Sequence, residues 1–325
     1  MFLLNKKVLI TGGLGFIGSN MAIKCLEQGA KVTIIDNRIK NCGGNLRNIH
    51  SIKNKIKIIF SDIHNMNLLK KLIKNKDFIF SFAGQSSHID SMNDPFSDLY
   101  INVSANLSLL ESCRKYNPKV KIIFASTRQI YGKPNYLPVN EKHPIKHADI
   151  NSIHKYATES YLTLYNKVYG IKSCSLRLTN TYGPHMRIKD ERQNFLGIWI
   201  KNVLQNKHIE IWGSGNQYRD FNYISDCIDA FLLAAKTKKC YGNAYNIGAN
   251  KINHIDLAKL LVKINGKGHI ILKQFPKFRK KIDIGDYYSS YRLFKSVTGW
   301  KPKISLIQGL EKTLNYYNKN IKYYI

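Results

Sequence analysis

The segment KVLIT (7–11) runs without a break into GGLGFIG (12–18), and a helical pattern of apolar residues follows over 16–28. Glycines at Gly12, Gly15 and Gly18 allow a tight turn there. They also let a helix N-terminus aim its unpaired amides at a pyrophosphate. A glycine spacing alone is a weak signal. Here it sits between a strand and a helix at the first such turn of the chain, which is the context the motif requires. The loop Gly12, Gly15, Phe16, Ile17, Gly18 is therefore read as a dinucleotide site. The next strand, KVTIID (31–36), ends at Asp36-Asn37. A carboxylate about 20 residues past the glycine loop accepts hydrogen bonds from an adenosine ribose and repels a 2′-phosphate, which favours NAD over NADP.

The same grammar continues along the first half. Strands are expected at 56–62, 78–84, 120–126 and 173–180, and helices at 65–75, 97–116 and 152–169. The strands are apolar throughout rather than alternating, as in strands covered on both faces. Alternation of strand and helix gives an α/β fold with a Rossmann-type, doubly wound parallel sheet. After Gly183-Pro184 the pattern loosens into short strands such as IEIWG (209–213) and helices at 225–237 and 255–264. The expected division is a NAD-binding domain over 1–178, with 219–250 returning to it. A smaller mixed α/β substrate domain covers 179–325, and a cleft lies between the two.

The charge of +30 over 325 residues raises nucleic acid as a partner. The lysines are dispersed, however, and no helix-turn-helix or zinc-finger pattern appears, so no nucleic-acid role is expected. An anionic small substrate is the better match to a basic chain. Six cysteines stand singly without a CxxC pair, which argues against a metal site or a disulfide framework and fits a reducing cytoplasm. No apolar run is long enough to span a membrane.

Several further motifs resemble the extended short-chain dehydrogenase/reductases, in particular the NAD-dependent nucleotide-sugar epimerases and dehydratases. TGGLGFIG (11–18) is similar to that family's glycine motif, and STRQIYG (126–132), RLTNTYGP (177–184), WGSGNQYRDFNYISD (212–226) and GWKPKISLIQGLEKT (299–313) are similar to its later motifs. The resemblance runs nearly end to end. It implies that Asp62 and Ile63 hold adenine and that Ala83, Gly84 and Gln85 of FAGQ lie under the cofactor. Asn102 would stabilise the site, Thr127 would bind the sugar hydroxyl, and Lys155 would bind the nicotinamide ribose. Asn180 and Arg219 would meet the substrate phosphates, with Arg192 of KDERQNF as a further phosphate ligand and Ser86 as a hydrogen-bonding group. It also implies a nucleoside-diphosphate sugar as substrate and a homodimer formed through helices 97–116 and 152–169; Tyr161, Leu164, Tyr165 and Val168 give the latter an apolar stripe that suits either a buried core or a subunit interface.

The chain departs from the family pattern where the chemistry is done. In ADINSIHKYATESY (148–161) the usual YxxxK tyrosine is Asn151, paired with Lys155. The Asp-Glu pair of the 4,6-dehydratases is Arg128-Gln129, and a late arginine is replaced by Asp283. A base that takes a sugar hydroxyl proton must titrate near the working pH, which an amide cannot do. Helical spacing puts Asn151, His154 and Lys155 on one face, making His154 a candidate replacement. His88, after the fourth strand and at the cleft mouth, is the second candidate. Tyr156 lies about 100° round the helix from Lys155 and is disfavoured. Three readings stay open: an epimerase working by transient oxidation of a ring hydroxyl, a dehydrogenase or dehydratase on the same substrates, and a cofactor-binding protein that has lost catalysis.

Overall fold

The computed structural model describes every residue except 40, 41, 191–193, 278, 279 and 281. A seven-stranded, all-parallel sheet forms its centre. Its first strands are β1 (Lys7–Thr11), β2 (Lys31–Asp36), β3 (Lys57–Phe60) and β4 (Phe78–Ser81). β5 (Lys121–Thr127) and β6 (Lys172–Leu178) follow. β7 (Asn180–Tyr182), β8 (Ile209–Trp212) and β9 (Tyr218–Tyr223) lie outside the sheet, and β10 (Ala244–Ile247) completes it. The spatial order is β10-β6-β5-β4-β1-β2-β3. The chain winds outward from β1 to β3, then returns to the other side of β1 with β4. That reversal opens a crevice at the carboxyl ends of β1 and β4, where ligands of such sheets bind.

The apolar strands are explained by helices on both faces. Leu9, Ile35, Ile79, Ile122 and Phe124 point to one face. They pack there on α2 (Met66–Ile73), α5 (Ala105–Tyr116) and α6 (Ile150–Tyr169) through Leu69, Leu109 and Leu162. Their sequence neighbours Val8, Ile10, Ile34, Phe80 and Ile123 point the other way, into the core that contains α1 (Phe16–Glu27) and α8 (Ile224–Lys236). Alternate residues of one strand thus enter two cores, so neither face reads as polar.

Two short helices, α3 (His88–Asn93) and α4 (Pro95–Leu99), precede α5. The expected continuous helix over 97–116 is interrupted by a π-helical turn at Tyr100–Ser104. The C-terminal region holds α7 (Phe195–Leu204), α9 (His254–Asn265) and the last two helices, Arg292–Thr298 and Leu306–Asn320. Its β11 (Asn250–Asn253) joins β9 and β7 in a three-stranded sheet, and β12 (Ile270–Lys273) pairs with β8. α8 packs against α1 and β10 against β6, so part of the second half of the chain builds onto the main sheet. No helix among the described residues is long and apolar enough to cross a membrane.

Candidate active site

The glycine loop has the geometry its spacing implied. Gly12 adopts a φ of +67°, and a Cβ there would lie 2.7 Å from the Ala83 amide nitrogen. That closeness lets β4 pass directly behind the loop. Gly15 is the N-cap of α1, and no side chain caps the helix, so its first amides keep their donors for an anion. Asp36 accepts from the Leu14 amide at 3.0 Å and the Arg38 amide at 2.8 Å, which fixes its carboxylate at the rim. Asn37 donates to Asp62 at 2.7 Å, linking the ends of β2 and β3. Burial raises the Asp62 pKa, but the His64 amide, His64 ring and Asn37 outweigh it, and the net shift is downward. Asp36, Asn37, Asp62, Ile63 and Ala83 line one groove of about 650 Å³ beside Gly12 and Gly15.

A second cavity of about 1100 Å³ continues from that groove past Gly12, Gly15 and Gly84. It is lined by Thr127, Arg128, Lys155 and Asn180, with Ser86 and His88 on the opposite chain segment. Phe16, Ile17 and Gly18 share its wall. α6 delivers Lys155 to it. That helix begins at a capping box, with Asp149 accepting from the Ser152 amide at 2.7 Å and Ser152 Oγ bonding the Asp149 carbonyl. One turn beyond Lys155, Glu159 accepts from Ser126 Oγ at 2.8 Å and pairs with Arg177, so α6 is tied to β5 and β6. The register of Lys155 against Thr127 follows from those bonds.

Among the described residues, Lys155 has no carboxylate partner. Its Nζ meets the Ala125 carbonyl at 3.4 Å and stands 5.0 Å above the Phe124 ring. Burial lowers its pKa to about 8, with the Asp98 charge pulling weakly the other way. A Cβ at Gly84 would sit 2.8 Å from Lys155 Nζ and 2.7 Å from Asn102 Oδ1. Asn102 Oδ1 is buried without a partner, while its Nδ2 donates to the Gln85 carbonyl at 3.1 Å. A buried amide oxygen without a partner and a buried ammonium held by one carbonyl, side by side at a glycine, form a polar cradle that suits the hydroxyls of a ligand. Together with the uncapped helix and the Asp36 rim, these residues fit a nicotinamide dinucleotide lying from Asp36 to Lys155.

The sugar end differs from the expected pattern. Asn151 is 2 % exposed, and its Nδ2 donates both hydrogens, to the Gln85 carbonyl at 2.9 Å and to Asp98 Oδ2 at 3.1 Å. His154 Nδ1 lies 2.6 Å from the other oxygen of Asp98, and His154 does not line the cavity. Shared helical spacing with Lys155 thus placed His154 over α4, because Asp98 draws it there. Tyr156 packs in a separate cluster with Ile130 and Tyr131. His88 does line the cavity, with Nδ1 2.7 Å from Asp149 Oδ2.

Arg219 is held by the Tyr218 and Gly285 carbonyls and by Asp283 at 3.2 Å, and it is not on the cavity wall. Burial, chiefly, and the neighbouring Arg128 charge lower its pKa to about 10. Among the described arginines, the one that lines the cavity is Arg128. Its Nη2 donates to Asn180 Oδ1 at 3.3 Å, its guanidinium stands 4.9 Å above the Tyr287 ring, and Nη1 is buried without a partner. Arg192 lies outside the described residues. The sequence reading missed the carboxylates Asp98 and Asp149 and the inward turn of Arg128. The helix-capping pattern at Asp149 was a legible signal, since Asp and Ser at that spacing mark a helix start.

Comparison with known proteins agrees with this geometry. The NAD dependent epimerase/dehydratase family matches residues 8–248. The chain belongs to that family. A putative UDP-glucose 4-epimerase of Methanocaldococcus jannaschii is 35 % identical over 319 residues, covering 96 % of this chain and 99 % of the relative. The CDP-paratose 2-epimerase of Salmonella typhi is 30 % identical, covering 95 % and 98 %. The crystal structure of UDP-glucose 4-epimerase from Thermotoga maritima with UDP-glucose superposes with a TM-score of 0.89 at 30 % identity, over 97 % of this chain and 99 % of that one. This member of the epimerase/dehydratase family is therefore an NAD-dependent enzyme of the nucleotide-sugar class, with the Rossmann-type sheet expected from its strand pattern.

Proposed function

We propose that the chain is an NAD-dependent epimerase acting on a nucleoside-diphosphate sugar through transient oxidation of a ring hydroxyl. The observation that carries this reading is the continuity of the two cavities at Gly84. There Lys155 and Asn102 reach the nicotinamide end of the dinucleotide groove, and Thr127 and Asn180 line the space beyond it. Bound NAD supplies the hydride acceptor and returns the hydride to the product. The protein's part is placement and proton management. Thr127 Oγ1 takes the Gln129 amide at 3.2 Å and keeps its own hydrogen for a sugar oxygen. Lys155 orients the ribose and lends positive charge to a sugar oxygen as its proton leaves.

The wall next to Thr127 favours epimerisation over dehydration. Elimination of water from the sugar calls for an acid and a base beside the reacting carbons. Arg128 and Gln129 occupy those places, and neither is a carboxyl group. A homodimer is part of the proposal, supported by the apolar side chains of Phe96, Leu99, Leu164 and Val168 left in water on α4 and α6. Light scattering of the purified protein tests it.

The activity test is incubation of UDP-, dTDP-, GDP- and CDP-sugars with the enzyme and NAD⁺ in D₂O, followed by proton NMR. Formation of the isomeric sugar without lasting reduced nicotinamide is the expected result. A ketosugar with deuterium at C6 and loss of water would replace this reading with dehydration, and steady NADH accumulation would replace it with net oxidation.

A further inference from the structure

The oxidation needs a group that accepts the hydroxyl proton, and the family's phenol is absent. Both hydrogens of the Asn151 amide are committed, to a carbonyl and to the buried Asp98. His154 is bonded to the same Asp98 away from the cavity. Among the described residues, His88 is the one imidazole on the wall of the sugar cavity. It opens α3, immediately after the FAGQ segment that runs under the nicotinamide end, and its side chain is 34 % exposed toward the cleft.

Its back is held. Nδ1 lies 2.7 Å from Oδ2 of Asp149, whose side chain is fully buried. The approach is close but angled, short of a well-aligned hydrogen bond. Asp149 is itself fixed by the Ser152 amide and by Gln129 Nε2 at 3.4 Å. Burial pushes the Asp149 pKa up, but His88 and Ser152 together outweigh it and hold the pKa below its ordinary value. A carboxylate behind Nδ1 keeps the proton there and leaves Nε2 as an acceptor. Among the described residues, the ring contact of His88 is the one at Nδ1, and no hydrogen bond to Nε2 is formed. The other charged groups near the pair are Asp90 on α3, His147 before the helix and Lys155 farther along α6. Among the described residues, Asp149 is the charged group at hydrogen-bonding distance from the His88 ring.

We propose that His88 Nε2 is the acid–base group of this enzyme and that Asp149 is its positioning partner, together replacing the missing tyrosine. This rests on the epimerase reading. In the forward step the sugar O–H bond breaks and its proton passes to Nε2. The O–H electron pair becomes the new C=O bond, and hydride leaves the carbon for NAD⁺. The imidazolium so formed is stabilised by Asp149. In the return step, hydride comes back to the other face of the carbon and Nε2–H gives the proton back to the same oxygen. Atoms and electrons balance with no further reagent.

The test uses the full chain with NAD⁺ and the panel of nucleotide sugars, comparing wild type with His88→Gln, His88→Ala and Asp149→Asn. His88→Gln keeps a hydrogen-bonding side chain and is expected to lower kcat by about 10²–10⁴-fold, the usual worth of a general base. KM and the affinities for NAD⁺ and UDP, measured by calorimetry, should stay within about threefold. Added imidazole should restore part of the activity of His88→Ala. Asp149→Asn should keep partial activity and move the acidic limb of kcat/KM to lower pH, because imidazolium loses its counter-charge. A His88→Gln enzyme as active as wild type overturns the dyad and leaves the epimerase reading standing. A wild type that binds NAD⁺ yet oxidises no sugar overturns both. Loss of NAD⁺ or UDP binding in His88→Gln, with no rescue of His88→Ala, assigns His88 a structural role and overturns the proposal.

Discussion

The two ends of the cleft are built on the same sheet, yet they follow different rules. At the cofactor end, geometry is set by backbone: glycine conformations, the open N-terminus of α1 and the carboxylates that close β2 and β3. At the sugar end, geometry is set by side chains that pair with one another. Asp98 takes Asn151 and His154, Asp149 takes His88, and Asp283 takes Arg219. A backbone site is conserved in shape whatever lies on it, whereas a side-chain network is rewired by one substitution. The lesson is that the two ends can vary separately, because they share little beyond Lys155.

Lys155 is where the contrast can be broken most severely. Lys155→Met is expected to cut turnover by at least about 10³-fold, since it removes a cation both ends use. The same change should stabilise the ligand-free protein. The folded-state pKa, about 8, lies below the ordinary 10.5. Below pH 8 the amine is protonated in both states and folding bears the full burial cost, on the order of 3 kcal/mol. That cost fades as pH rises from 8 to 10.5, because the unfolded chain then binds more protons. Urea unfolding of wild type and variant at pH 7 and pH 10.5 should show a difference at the first pH that vanishes at the second. An equal difference at both would show that Lys155 is not a desolvated cation.

Asn151→Tyr, which restores the family's residue, sharpens the comparison at the sugar end. We expect a loss of about 2–3 kcal/mol in stability and no gain in turnover, because two buried hydrogen bonds to Gln85 and Asp98 are lost. A stable variant faster than wild type would mean that the phenol's place was kept open.

Arg128→Met tests the cation that the sugar end gained. Burial pulls the Arg128 pKa below the usual arginine value although Asp220 lies nearby, and one guanidinium nitrogen has no partner. An anionic group of the substrate is the counter-charge we expect. KM for the nucleotide sugar should rise roughly 10–100-fold with NAD⁺ affinity unchanged. Equal loss for UDP and for the intact nucleotide sugar would place the contact at the diphosphate, and a loss confined to sugars bearing a carboxylate would place it at the sugar.

The smallest effect belongs to the cofactor end. Asp36→Ala should weaken NAD⁺ binding about tenfold and narrow its advantage over NADP⁺, as read by fluorescence titration. Unchanged selectivity would show that the adenosine ribose does not rest on Asp36.

The sheet and the cofactor groove were legible from residues because their signals are local. A strand–glycine–helix junction, a carboxylate at the end of β2 and apolar runs of strand length each carry their meaning within a few residues. The helix over 97–116 was only partly legible. Its π-helical turn at Tyr100–Ser104 places Asn102 beside Gly84, and nothing in YINVS marks such a turn. His154 shows the limit of helical periodicity. Its i+3 spacing puts it beside Asn151, but it lies about 100° round the helix from Lys155, and one buried carboxylate on α4 holds it there.

The sequence by itself therefore determined the doubly wound α/β fold, the strand–glycine–helix junction at Gly12–Gly18 and the carboxylate that ends β2. Which imidazole faces the sugar, that Arg128 rather than Arg219 lines the cavity, and that Asp98 and Asp149 each claim a histidine were decided only by the tertiary structure. These pairs join residues 56 to 64 positions apart, and their partnership depends on how helices pack over the sheet, not on any spacing along the chain.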